Sequence, residues 1–182
     1  MDLHLELCLA SLTALASPEG RAEARRVHEE ALVACGLHAA KGGLVWDSYR
    51  EVEAALLALA GEEAREEQRA RLAKVFTRQL RQPLLGMEGT WREWVEWREA
   101  DDKAVEVDYK KARQRLGKRE GLEVLVEQQE GEERLGKWRE YITLEKEEGD
   151  PARVQCVYER AIADHCLDQV TCTCASENSG PS

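Results

Sequence analysis

The sequence predicts an all-α fold, an α-solenoid of antiparallel helix pairs, and three observations carry that expectation. Composition is the first: the 182 residues hold four prolines and one phenylalanine, with 34% charged residues and abundant Glu, Ala, Leu and Arg. Such a chain favours helix and argues against an all-β fold. The second is apolar spacing of three and four residues along most of the chain. The third is an aromatic motif that returns with Trp46, Trp91 and Trp138, 45 and then 47 residues apart, a tandem period.

Taken in order, residues 1–16 are expected to form an N-terminal helix with Leu5, Leu9 and Leu12 on one face. The end of that stretch, Ala14-Leu15-Ala16, has the look of a leader-cleavage site, but Asp2, His4 and Glu6 stand where a secretory leader carries basic residues. Ser17-Pro18-Glu19 and Asp150-Pro151 each put a side-chain acceptor at an N-cap and a proline at the first helical position, so a helix starts at each. Gly36, Gly42-Gly43, Gly86, Gly117 and Gly149 are read as helix stops. Between these marks run single apolar stripes: Trp46, Tyr49, Leu56, Leu57 and Ala60; Leu72, Val75, Phe76 and Leu80; Val154, Val157, Tyr158, Ala161 and Ile162. No run of about 18 apolar residues occurs, which excludes a membrane-spanning helix.

The repeat has two helix types. Type A carries Trp46-x2-Tyr49-x3-Glu53 and Trp138-x2-Tyr141-x3-Glu145, with a degenerate copy at Trp91-x2-Trp94. Type B carries Val75-Phe76-x-Arg78-x-Leu80, Tyr109-x2-Ala112 and Val157-Tyr158-Glu159-Arg160-Ala161-Ile162, with a relative at Val27-His28-Glu29-Glu30-Ala31-Leu32. Alternating A and B helices stack as a solenoid over residues 17–167, about three and a half repeats, followed by an irregular tail at 168–182. Glu53 and Glu145 are expected to pair with Arg71 and Arg153 across the A/B hairpin, because the middle repeat has Arg98 and Ala104 at the same positions and so changes both partners together.

These motifs resemble the half-a-TPR (HAT) repeats of RNA-processing scaffolds; the ordinary TPR pattern, with its glycine-containing A helix and 34-residue period, is absent. Within that family the chain is similar to the U4/U6-recycling group, the squamous cell carcinoma antigens recognised by T-cells. The matching residues are Gly36-Leu37-His38-x2-Lys41-Gly42, Arg78-Gln79-Leu80-x2-Pro83-Leu84-x2-Met87-Glu88-x-Thr90, and Gly149-Asp150-Pro151-Ala152-Arg153, within a span from about Arg21 to Leu167. The segment Leu59 to Ala70 looks longer than in the family, and the tail replaces the next expected A helix. The resemblance implies a truncated form of a nuclear pre-mRNA splicing scaffold whose family docks ubiquitin-specific proteases and spliceosomal proteins and pairs with itself; for this chain it implies weak or absent protease docking and no family-type dimer. It also implies the loss of the later repeats and of the RNA-recognition motifs.

Charge and motifs narrow the function further. The balance of 26 Lys and Arg against 36 Asp and Glu gives a net charge of −10, the wrong sign for a phosphate-gripping surface, so direct RNA binding is not expected. The basic run 109–119 keeps an apolar period through Val105, Tyr109, Ala112 and Leu116 and reads as a solvated helix face. His28-Glu29-Glu30 lacks the second histidine of a zinc-protease helix, Gly36 to Lys41 lacks a phosphate loop, and no Gly-x-Ser-x-Gly elbow exists, so no catalytic residue or cofactor is expected. His165, Cys166, Cys172 and Cys174 do not have the spacing of a zinc knuckle. What remains is a protein-binding scaffold. Trp91, Trp94 and Trp97 are read mainly as core, with Trp97 a candidate anchor, and Arg50, Arg92, Glu96 and Arg139 as an exposed mixed-charge strip for a polar partner. The rival reading is self-association through an apolar face left open at the last repeat.

Overall fold

The computed structural model describes residues 2–11, 15–99 and 102–177, with the side chains of Asp2, Leu9 and 166–177 outside that description. Among the described residues there are eight α-helices and no strand: α1 (Asp2–Ser11), α2 (Pro18–Cys35), α3 (Gly42–Leu59), α4 (Glu62–Leu80), α5 (Met87–Trp97), α6 (Lys103–Gln128), α7 (Gly131–Glu148) and α8 (Pro151–Glu177). The chain forms two compact units, residues 1–117 and 118–182, and α6 supplies residues to both. Leu9 and Leu12 of the expected N-terminal stripe, and Cys166, Cys172 and Cys174, fall outside the described side chains.

In the first unit α1, α2 and α3 pack on one another, α3 on α4, and α4 on α5. The α2 start is as the sequence predicts: Ser17 Oγ accepts the Gly20 N–H at 2.9 Å and Pro18 occupies the first turn. The α2–α3 turn explains the Gly36–Gly42 motif by close approach. A side chain on Gly42 would place its Cβ 2.7 Å from the Gly36 carbonyl oxygen, which itself accepts the Trp46 indole N–H at 3.1 Å. Around it lies a core of Cys8, Ala31, Leu32, Val45, Trp46, Tyr49, Val75 and Leu84, with Leu5 and Val27 at its edge. A second core joins Leu72, Phe76, Leu80, Trp94 and Val105. Asp102 Oδ1 caps α6 by accepting the N–H groups of Ala104 and Val105 at 3.0 and 3.2 Å, a start that the sequence reading missed.

In the second unit α7 packs on α8 over Val126, Trp138, Tyr141, Val157 and Ala161. The hairpin turns on Gly149, whose φ of 77° is left-handed, and Asp150 Oδ1 accepts the Ala152 N–H at 3.1 Å ahead of Pro151.

Three expectations change. Gly117 does not stop a helix: it lies inside α6, where glycine costs about 1 kcal/mol, and the buried Leu116 and Arg119 beside it hold the helix through. Gly42-Gly43 opens α3, and Gly86 stands at the N-cap of α5, so neither ends a helix. The backbone of α8 continues to Glu177, ten residues past Leu167 where an irregular tail was expected; residues 168–177 contain no glycine or proline to end it. The extra length noted between Leu59 and Ala70 lies in helix. From motif tryptophan to B-helix aromatic, α3/α4 spans ten residues more than α7/α8, with a two-residue turn in each hairpin.

Candidate protein-binding surface

The A-helix motif is an interhelical clamp. In the first unit the buried Glu53 receives Arg25 of α2 through two bonds, Nε to Oε1 at 2.7 Å and Nη2 to Oε2 at 3.0 Å. Gln68 of α4 donates to the same carboxylate and to the Glu53 carbonyl oxygen, and its own oxygen accepts from Arg25 at 3.0 Å. One turn along α2, Glu29 takes a two-bond grip from Arg78 of α4. The Arg78 guanidinium lies 5.2 Å from the Trp46 ring centre, and the Tyr49 hydroxyl is in hydrogen-bonding contact with Glu29. The Arg78 bond holds the Glu29 carboxyl below its ordinary range, and burial pushes the Tyr49 phenol up.

The second unit repeats this arrangement with other residues. Glu145 receives Arg119 of α6 at 2.7 Å through both Nε and Nη2. One turn on, Glu123 accepts Arg160 of α8 through two bonds of 2.7 Å and the Tyr141 hydroxyl at 2.7 Å, while Arg160 lies 5.0 Å from the Trp138 ring centre. Trp138 Nε1 donates to Asp164 at 2.8 Å. Burial opposes the charge on Arg119 and Arg160, but the carboxylate partners more than offset it and both pKa values lie above the ordinary arginine value. A planar guanidinium gripping a carboxylate through two parallel bonds fixes angle as well as distance, so each clamp sets how its helices cross.

These clamps correct the expected pairing. Glu53 and Glu145 are gripped by an arginine from the helix before the A helix, not by Arg71 and Arg153 from the helix after it. Arg71 is exposed and bonds Glu67 on its own helix at 2.6 Å, because Gln68, Leu72 and Val75 take the inward face of α4. Arg153 is buried, with Nε 3.6 Å from Asp150. Tyr158, expected in the packing set, is 38% exposed and Ile162 is 60% exposed, since Val157 and Ala161 point inward instead. The residues missed by the sequence reading, Arg25, Glu29, Arg119 and Glu123, had one local signal: an Arg-x3-Glu spacing, one helical turn, ahead of each complete A motif.

The tryptophans divide. Trp94 is buried between Phe76 and Trp97, with ring centres at 5.6 and 5.7 Å, and Trp91 stacks on Tyr109 at 4.5 Å. Trp97 is half-buried, lies against Phe76 at 5.6 Å and is covered on one side by the Arg69 guanidinium at 4.6 Å. Of the expected polar strip, Arg92, Glu96 and Arg139 are exposed. Arg50 is not: it is 8% exposed, bonded to Asp47 at 2.7 Å and to Glu93, with its guanidinium 4.7 Å from the Phe76 ring centre. The basic run is partly neutralised, with Lys110 on Glu106, Arg113 on Glu88, Lys118 on Glu148 and Arg119 buried on Glu145.

The chain is 38% identical over 170 residues to the proteins of Pongo abelii and Homo sapiens named spliceosome associated factor 3, U4/U6 recycling protein, covering 91% of this chain and 16% of each relative. This chain is a homologue of one segment of the U4/U6 recycling proteins. A recycling protein of Danio rerio matches at 38% over 151 residues, again across 16% of its length. No protein-family model matches the chain. The all-α pairing of A and B helices is that of a HAT- or TPR-like repeat, and no helix among the described residues is long and apolar enough to cross a membrane.

Proposed function

We propose that the chain is a nuclear protein-binding scaffold for RNA processing, serving U4/U6 particle recycling by holding spliceosomal proteins, with only weak docking of a ubiquitin-specific protease. The observation that carries this reading is the commitment of Glu53, Glu145, Glu29 and Glu123 to arginine clamps. The acid groups of the repeat motif are spent on helix geometry, which leaves recognition to exposed side chains such as Arg92, Glu96 and Arg139. Homology to the recycling proteins supports the process and the nuclear location. A net charge of −10 and the partial neutralisation of the α6 basic run disfavour an RNA-binding adaptor. Affinity capture with the tagged chain from nuclear extract, with and without nuclease, tests it. Splicing proteins retained after nuclease treatment support the reading, and their complete loss overturns it.

A second reading, self-association, is favoured by the apolar line of Val154, Tyr158 and Ile162 on α8, four residues apart, of which Tyr158 and Ile162 are exposed. An association constant measured by sedimentation separates it from the first.

A further inference from the structure

We propose that the cleft between α3, α4 and α5 seats one large apolar side chain of a basic peptide segment from a protein partner. The inference rests on the scaffold reading above and names the chemistry of what one part of the scaffold holds. The cleft has a volume of about 470 Å³, within the range of sites that enclose a ligand group. Its apolar lining is Leu57, Leu72, Phe76 and Trp97, donated by all three helices. Phe76 and Trp97 lie against each other with an interplanar angle of 26°, Arg50 covering Phe76 and Arg69 covering Trp97, so both rings are fixed in place before anything binds. A preformed aromatic and aliphatic pocket of this kind accepts an anchor side chain with little ordering cost.

Charge identifies the flanks of that anchor. Asp47, Glu51 and Glu93 line the same cleft, against a single cation, Arg50. Arg50 is buried and already bonded to Asp47 and Glu93, so it serves as a fixed wall beside the cleft. The result is an apolar floor with a net negative rim, in a chain of net charge −10. Lysine or arginine on either side of a leucine, methionine or phenylalanine matches that rim, whereas an acidic peptide or a nucleic-acid phosphate is repelled by it.

The test uses the full chain and a fluorescein-labelled peptide carrying one leucine between pairs of lysines, read by fluorescence anisotropy. A second peptide has alanine for the leucine, and a third has glutamate for the lysines. The leucine peptide should bind about tenfold more tightly than the alanine peptide, the worth of one well-buried anchor. The acidic peptide should not bind. Ala54→Trp and Ala58→Trp place a ring in the cleft from exposed positions of α3, and each should weaken binding by about tenfold or more while the circular-dichroism melt stays unchanged. Glu51→Lys, also at an exposed position, should weaken it several-fold and reduce its salt dependence. Equal binding of the leucine and alanine peptides, or binding unmoved by both cleft-filling variants, overturns the inference. If nuclease-resistant splicing proteins are still captured in that case, the scaffold reading stands without it; if no protein is captured, that reading has failed separately.

Discussion

Arg119→Met leaves the Glu145 carboxylate buried without its counter-charge. The two side chains are 0% and 1% exposed and share two bonds of 2.7 Å, so neither water nor a mobile neighbour can replace the lost partner cheaply. Removing one member of such a pair costs about 3–5 kcal/mol, whereas replacing both by apolar residues of similar volume is often neutral or stabilising. A loss of that size is a large share of the roughly 5–15 kcal/mol that holds a domain together. The corresponding Glu53 clamp has a partner, Arg25, that is 24% exposed and a second donor in Gln68, so Arg25→Met should cost less. The assay is urea unfolding followed by far-ultraviolet circular dichroism, with hydrogen exchange by mass spectrometry to localise the opening to α7. Expected are a large loss for Arg119→Met, a smaller one for Arg25→Met, and recovery of most of the loss in Arg119→Met combined with Glu145→Met. Equal losses in the single and double variants, or a single-variant loss under about 1 kcal/mol, the level of an exposed pair, would refute the reasoning.

Three further outcomes follow from the same geometry. His28 is fully buried, with Nδ1 2.7 Å from the Ala24 carbonyl oxygen and Nε2 3.1 Å from Ser48 Oγ, so the neutral ring donates from Nδ1 and accepts at Nε2. Burial lowers its pKa below the ordinary 6.5, so the unfolded chain takes up a proton first as pH falls. Stability should therefore be full above about pH 6.5 and decline below it, and His28→Leu should flatten that slope in pH-dependent urea titrations. Gly42→Ala drives a Cβ to within 2.7 Å of the Gly36 carbonyl and should cost about 1–3 kcal/mol in urea unfolding. Ile162→Lys and Tyr158→Lys break the exposed apolar line of α8; concentration-dependent association, if sedimentation shows it, should be abolished by either, and its survival in both would move the contact elsewhere.

The architecture was legible because helix signals are local. Ser17-Pro18 and Asp150-Pro151 cap helices wherever they stand, and the spacing of Val75, Phe76 and Leu80 places one stripe without knowledge of its neighbours. The clamp partners were not legible, because an ion pair between helices depends on which helix lies alongside. Both Arg25 and Arg71 stand within reach of Glu53 by sequence order, and only the inward facing of Gln68 and Leu72 sends Arg71 to solvent. Arg50 is buried, against the sequence expectation, for a similar reason. An arginine on an A helix reads as surface, and its burial is permitted by Asp47 three residues before it and by Glu93 from a helix far along the chain. Gly117 looks like a stop by its identity alone, yet buried neighbours on either side outweigh a glycine's modest cost.

The scaffold reading is tested most directly by charge reversal on exposed A-helix residues. Arg92→Glu and Arg139→Glu alter side chains exposed on α5 and α7, so the circular-dichroism melt should be unchanged. Capture of nuclease-resistant splicing proteins by the doubly reversed chain should fall by about tenfold, the equivalent of roughly 1.4 kcal/mol of interface energy. Full capture by the doubly reversed chain, or capture that disappears with nuclease in the unaltered chain, would contradict a scaffold that grips proteins through these side chains.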